Sequence, residues 1–317
     1  MFTDDAKAVI ALTTRLGDSH RPSLPPTMWH RLATALNDAG LTPATVFDPN
    51  TDLASVPGIP GDLAETVTEL IKDASITTVA ATELDRQGIW TLTLVDDTYP
   101  PTMRDRLGKG APPVIFGVGD PVLLDGDGIG IVGSRNVDEA GAEIAKDLAV
   151  RATTLGRAVV SGGARGVDQL AMNAAYQADG VVIGALADSL QSRIQKSDVL
   201  AALDRGRTCL LTQQAPATGF SAGAAMSRNK LIYALSAVTV VVASDANTGG
   251  TWAGASEALN KAISVVSVWR GEGEGPGNPA LEGAGAIPIQ ALDDLSDLVE
   301  SPPASEPEQL AITELGA

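Results

Sequence analysis

From Gly128 onward, short apolar runs alternate with stretches of helical periodicity. Gly128–Val132, Arg157–Val160, Val181–Leu186, Thr208–Thr212, Val238–Ala243 and Ser264–Val268 read as strands, being apolar, short and bounded by Gly or polar clusters. Between them Glu139–Leu155, Val167–Ala178, Ser197–Asp204, Met226–Ser236 and Trp252–Lys261 carry apolar residues at helical spacing. Repeated β-α-β units predict a parallel sheet with helices on both faces. Ligands of such sheets bind beyond the carboxyl ends of the strands. Gly271–Gly285 reads as a loop, and Ile287-Pro288-Ile289 as an edge strand, where a proline costs no ladder hydrogen bond.

Upstream, the pattern changes. Residues 1–85 show helical spacing only; Met28–Ala39 is one helix, stopped by Gly40. The stretch Ser55–Gly61 (SVPGIPG) has two readings. It resembles the turn of a helix-hairpin-helix element, which presents backbone N–H groups to a DNA phosphate. It also suits a plain tight turn with Asp62 as the next N-cap. Residues 86–127 read as a connector containing Tyr99-Pro100-Pro101 and a short strand in Pro112–Gly117. The expected organisation is a helical domain (1–85), a connector (86–127), a main domain (128–299) and an acidic, mobile tail (300–317). The fold class is α/β: an extended Rossmann-like parallel sheet with a small N-terminal helical domain of helix-hairpin-helix or SAM-like type.

Composition narrows the function. A chain of 317 residues with 44% hydrophobic positions is globular. No apolar run reaches bilayer length, and the N-terminus is acidic where a signal peptide is basic, so a cytoplasmic protein without a membrane partner is expected. Cys209 is the single cysteine; His20 and His30 both precede the α/β region. That region therefore has no histidine base or His-rich zinc site, and neither a metal, a cofactor nor a catalytic constellation is expected. The net charge of −17 argues against binding duplex over a broad surface. A local basic pocket remains compatible with it, because salt screens distant charge within about 10 Å.

Three loops leave strand ends and enter helices. The first holds Gly133, Ser134, Arg135 and Asn136: glycine admits a ligand to the backbone, and the arginine can pair bidentately with phosphate. The second holds Ser161, Gly162, Gly163, Ala164, Arg165 and Gly166, followed by Asp168, whose expected role is to cap the next helix and fix the loop. The third is Thr248-Gly249-Gly250-Thr251, with Thr251 a candidate N-cap. Each loop alone is an ordinary β-α turn; three on one sheet edge converge on a crevice. Arg228, Asn229 and Lys230 add two cations where a helix is expected to start. The helix dipole disfavours them there, and a bound anion would offset that cost.

Together these residues resemble the DNA-processing protein A (DprA, Smf) family of the Rossmann-like SLOG superfamily. The resemblance rests on Gly133-Ser134-Arg135, on Ser161 to Asp168, on Arg228-Asn229-Lys230-Leu231-Ile232 with Leu235-Ser236, on Thr248–Thr251 and on the Tyr99-Pro100 connector. The chain is a divergent member by this reading. Met172 stands in place of a histidine, Ala187–Leu190 in place of a Tyr-Pro, Gln213-Gln214 in place of Ser-Glu, Ala243 in place of a glutamate and Ala225 in place of an aromatic. The resemblance implies a homodimer that binds single-stranded DNA and loads a RecA-type recombinase during DNA uptake, without catalysis. Phe220, Tyr233 and Trp252 are the aromatic residues available for base stacking.

A second class stays open: a nucleotide sensor, or a nucleoside-monophosphate phosphoribohydrolase, with a role and a partner in anti-phage defence. Gly249-Gly250-Thr251 and Glu257 echo the glycine-rich loop and acid of such hydrolases, with Arg228 and Lys230 as cations. A solvated helical glutamate is the plainer reading of Glu257. A third possibility is a scaffold with a vestigial pocket.

Overall fold

The computed structural model of the chain describes residues 1–17 and 21–300. The expected acidic tail falls, apart from Glu300, outside the described residues. The helices are α1 (Asp4–Thr13), α2 (Pro26–Asp38), α3 (Gly61–Leu70), α4 (Ala74–Arg86), α5 (Pro101–Leu107), α6 (Glu139–Thr154), α7 (Val167–Gln177), α8 (Leu190–Arg193), α9 (Ser197–Asp204), α10 (Ala222–Ala234), α11 (Gly249–Asn260), α12 (Asn278–Gly283) and α13 (Leu292–Glu300). The strands are β1 (Trp90–Thr93), β2 (Val114–Val118), β3 (Gly128–Val132), β4 (Val159–Ser161), β5 (Val182–Ala185), β6 (Thr208–Thr212), β7 (Ser236–Val241), β8 (Val265–Trp269) and β9 (Ile287–Ile289). Among the described residues no helix is long and apolar enough to cross a membrane.

The strands form one sheet in the order β1-β2-β6-β5-β4-β3-β7-β8-β9. The ladders from β6 through β9 are parallel, and β1 and β2 join antiparallel. Strands β3 to β6 are buried throughout, which is why they read as continuous apolar runs. Ile129, Ile131, Val159 and Val182 pack on one face with the alanine-rich helices α6 and α7. Val132, Val160, Ile183 and Leu211 pack on the other with Leu231 and Ile232 of α10. The chain runs from β3 outward to β6, then returns to lay β7 on the opposite side of β3. The connections leaving the carboxyl ends of β3 and β7 therefore run to helices on opposite faces, α6 and α11, and leave a crevice between them. The proline-containing β9 is an edge strand, as its sequence predicts.

Residues 86–127, expected as a connector with a short strand in Pro112–Gly117, supply that strand as β2 and a further strand, β1. The alternation of Trp90–Thr93 is too short to register as a period. Gly117 is needed here, because a Cβ would lie 2.2 Å from the Trp90 ring, whose Nε1 donates to the Gly119 carbonyl at 2.8 Å. The helical region is fixed to the same place. Ile10, Leu32, Leu36, Leu63 and Val67 share one buried cluster with Val114, Phe116, Val118 and Leu210.

Several boundaries differ from expectation. A three-residue 3-10 turn, Leu53–Ser55, rather than a full helix, precedes the Ser55–Gly61 turn. The next N-cap is Pro60, not Asp62, because Ala64 N–H already donates to the Pro60 carbonyl. Helix α10 begins at Ala222, not Met226: Ser221 caps it by accepting from Ala224 N–H, and Ala222–Ala225 carry too little apolar contrast to show a period. Helix α11 begins at Gly249 with Thr248 as N-cap, so Thr251 is not the cap. The Gly271–Gly285 loop contains α12. Its fully buried Asn278 donates to the Val242 and Trp269 carbonyls, both at 2.8 Å, and accepts from Ser244 N–H at 3.0 Å. One side chain thus pins the ends of β7 and β8.

Candidate functional site

A crevice of about 750 Å³ opens beyond β3 and β7, and a smaller one of about 330 Å³ adjoins it beyond β4 and β5. All three loops and α10 border the larger, and the first two loops and α10 border the smaller. In the first loop, Gly133 lies against α7, where a Cβ would sit 2.6 Å from Val167 Cγ2. Ser134 N–H donates to the Ala243 carbonyl at 2.8 Å, and its hydroxyl accepts from Asn136 N–H at 3.1 Å. Ser134 is thereby a turn-forming residue. The exposed Arg135 guanidinium lies over the Phe220 ring, 5.6 Å from its centroid.

The second loop is wrapped around two buried charges. Asp168, 5% exposed, accepts from the N–H groups of Gly162 (3.2 Å) and Ala164 (3.4 Å). This fixes the loop as expected, although the N-cap position of α7 is Gly166. Arg228, 6% exposed, donates through Nη1 to the Ala185 carbonyl at 2.7 Å. Its Nε is buried with no hydrogen-bond partner. The guanidinium rests on Gly162 so closely that a Cβ there would lie 1.6 Å from Nη1. Burial pushes the Asp168 carboxyl above the usual range, opposed by Arg228 and by the loop N–H groups. Burial likewise lowers the Arg228 guanidinium, opposed by Asp168 and Asp188. The two partially offset each other without forming a direct ion pair. Gly166, with φ +86°, passes over the first loop, where a Cβ would sit 2.3 Å from the Ser134 carbonyl oxygen. Arg165 donates to Asn136 Oδ1 at 2.6 Å and ties the two loops together.

The third loop docks on the first: Thr251 Oγ1 donates to the Gly133 carbonyl at 3.1 Å. Thr248, Gly249 and Gly250 are exposed, and Thr248 makes no side-chain cap bond. The first N–H groups of α11 therefore face the crevice without a capping side chain. Asn229 Nδ2 donates to the Gly250 carbonyl at 2.9 Å and fixes the angle of this turn against α10.

Of the residues singled out from sequence, Gly133, Ser134, Arg135, Arg228, Asn229 and Thr248–Thr251 line the larger crevice. Gly162, Gly163 and Arg165 line the smaller one. Two are elsewhere. Ser161 is fully buried and donates to the Ile131 carbonyl at 2.6 Å. Lys230 donates to the Gly110 carbonyl at 2.5 Å. It lies two residues, about 200° of helix, from Arg228 and faces away. Because α10 starts six residues before Arg228, the helix-start argument for these cations does not hold. Phe220 and Met226, 57% and 54% exposed, stand at the rim. Met226 carried no signal in the sequence beyond its apolar class. Trp252 lines the crevice half-buried, whereas Tyr233 is buried in its floor. Glu257 is ion-paired with Lys261 at 2.6 Å and does not line the crevice. Among the described residues no group of three His, Cys, Asp or Glu could hold a metal.

Comparison with known proteins places this geometry. Residues 90–300 match the family described as DNA recombination-mediator protein A. The chain belongs to that family. The DNA processing protein DprA of Bacillus subtilis is 30% identical over 184 residues, 57% of this chain and 61% of that protein. The family fold extends through the helical region: the DprA structure from Streptococcus pneumoniae superposes with a TM-score of 0.68 at 19% identity, covering 95% of this chain and 98% of that one. The DprA structure from Helicobacter pylori matches with a TM-score of 0.55 at 24% identity, over 66% of this chain and 95% of that one.

Proposed function

We propose that this DprA-family chain binds single-stranded DNA at the paired crevices and acts, without catalysis of its own, as a recombination mediator. The observation that carries the reading is the exposed Arg135 lying on Phe220 beside the uncapped start of α11. A cation, an aromatic face and free backbone N–H groups within one crevice are the components of single-strand recognition. The Helicobacter pylori relative is described as binding single-stranded DNA, which supports the same ligand here. A homodimer that delivers the strand to a RecA-type recombinase is the corresponding partner arrangement.

The test is fluorescence anisotropy with a labelled oligothymidylate at low and moderate salt. Micromolar or tighter binding that weakens with salt and with Arg135→Ala supports the reading; absence of binding, or indifference to Arg135→Ala, refutes it. A second reading, a small-nucleotide sensor, is favoured by the crevice volume of about 750 Å³, which lies inside the range of small-ligand sites. It predicts that a free mononucleotide competes as well as an oligonucleotide. A phosphoribohydrolase is disfavoured, because the one acid proposed for it, Glu257, is held by Lys261 outside the crevice.

A further inference from the structure

The two crevices are not independent. Arg135, Ala164, Phe220 and Arg228 line both of them. Phe220 is an exposed aromatic ring in the segment joining β6 to α10, and nothing in the core requires it there. The guanidinium of Arg135 covers one ring face at 5.6 Å and so holds the ring at the boundary. Two cations are thus common to both crevices: Arg135, exposed with no salt-bridge partner among the described residues, and Arg228, buried with an unpartnered Nε. Each crevice also has its own wall. The larger is closed by Trp252 and the first turn of α11. The smaller is closed by Asp188 and Arg193, paired at 2.8 Å, and by Arg165.

We infer that Phe220 and Arg135 form a divider between two nucleotide compartments, so that the ligand unit this site recognises is a dinucleotide step. One base occupies each side of this divider, one on the open face of the Phe220 ring and the other beyond the Arg135 guanidinium that covers the opposite face, and the phosphodiester linking them passes the two shared arginines. The group common to two adjacent nucleotides is their bridging phosphate, and the charged groups common to the two crevices are the cations Arg135 and Arg228. An anion at that point also offsets the positive charge of Arg135, which lies close enough to disfavour the charge of Arg228. The aromatic side chain needed for stacking is supplied by Phe220, in a chain where position 225 is alanine.

This inference rests on the single-strand reading, and the test separates the two. Thymidine monophosphate and the dinucleotide pdTpdT compete against labelled oligothymidylate for the wild type, Phe220→Ala and Phe220→Trp. The expected result is that pdTpdT competes at least about ten-fold better than the mononucleotide, the order of one stacked base. Phe220→Ala weakens both competitors but abolishes the advantage of the dinucleotide over the mononucleotide, and Phe220→Trp keeps that advantage. Equal competition by mono- and dinucleotide, or a dinucleotide advantage that survives Phe220→Ala, overturns the divider while leaving strand binding intact. Failure of the wild type to bind oligothymidylate at all overturns both. Thermal melts of the Phe220 variants matching the wild type exclude misfolding as the cause.

Discussion

Gly162→Ala tests the buried heart of the site. A Cβ at position 162 would lie 1.6 Å from Arg228 Nη1, 2.3 Å from Cζ and 2.5 Å from Nη2. The guanidinium must therefore move by more than an ångström. It cannot do so freely, because Nη1 holds the Ala185 carbonyl at 2.7 Å and the residue is 6% exposed. Loss of one charge-assisted hydrogen bond costs roughly 1.5–3 kcal/mol, and forcing atoms into a packed interior roughly 1–3 kcal/mol. These are two descriptions of one displacement, so the expected destabilisation is roughly 2–4 kcal/mol rather than their sum. Urea unfolding of the wild type, Gly162→Ala, Arg228→Ala and the double variant measures it as a cycle. With Arg228 truncated, the added methyl group has room, and its cost is expected to fall below about 1 kcal/mol. If Gly162→Ala costs the same in both backgrounds, the glycine is required for a reason other than the arginine, and the account of this loop is wrong.

Other consequences are as direct. Arg135→Ala is expected to lower the slope of log affinity against log salt by about 0.7, the value for one phosphate contact on a single strand; an unchanged slope would place Arg135 off the backbone. Asn278→Ala removes three well-formed buried hydrogen bonds, at about 1 kcal/mol each, and an unfolding free energy within about 1 kcal/mol of wild type would refute its role as a pin. Burial raises the Asp168 carboxyl above its unfolded value. Its contribution to stability is thus fullest below about pH 4 and is lost as pH rises through the raised value. Stability of the wild type relative to Asp168→Asn should decline from acid toward neutral pH in urea titrations, and parallel curves would contradict the assignment.

The sheet was readable because β3 to β6 are buried on both faces and written mostly in apolar residues and glycine. The short apolar β2 was readable too, but its antiparallel partner β1 was not. Trp90–Thr93 alternates over four residues only, and its largest side chain, Trp90, stands opposite a glycine, Gly117. Helix starts were the weakest point. Ala222–Ala225 and Gly249-Gly250 form first turns from residues without apolar contrast, so only the caps Ser221 and Thr248 mark them. The convergence of three glycine loops on one sheet edge followed from their place after strands of a parallel sheet, but the contents of each loop did not. Ser161 and Ser134 are similar in sequence context, yet one hydroxyl is sunk on the Ile131 carbonyl and the other shapes a turn. The closeness of Asp168 to Arg228 joins residues sixty positions apart, and no periodicity encodes such a pair.

The cluster that joins the N-terminal helices to β2 also decides how the molecule can move. Parts of a chain that meet through small polar contacts swing relative to each other by default. Here Leu63 and Val67 share their burial with Phe116 and Val118, and fully burying each such side chain is worth roughly 1.5–3 kcal/mol. A hinge at this seam would have to open that hydrophobic contact at every cycle. The helical region is therefore held as a fixed wall against β2.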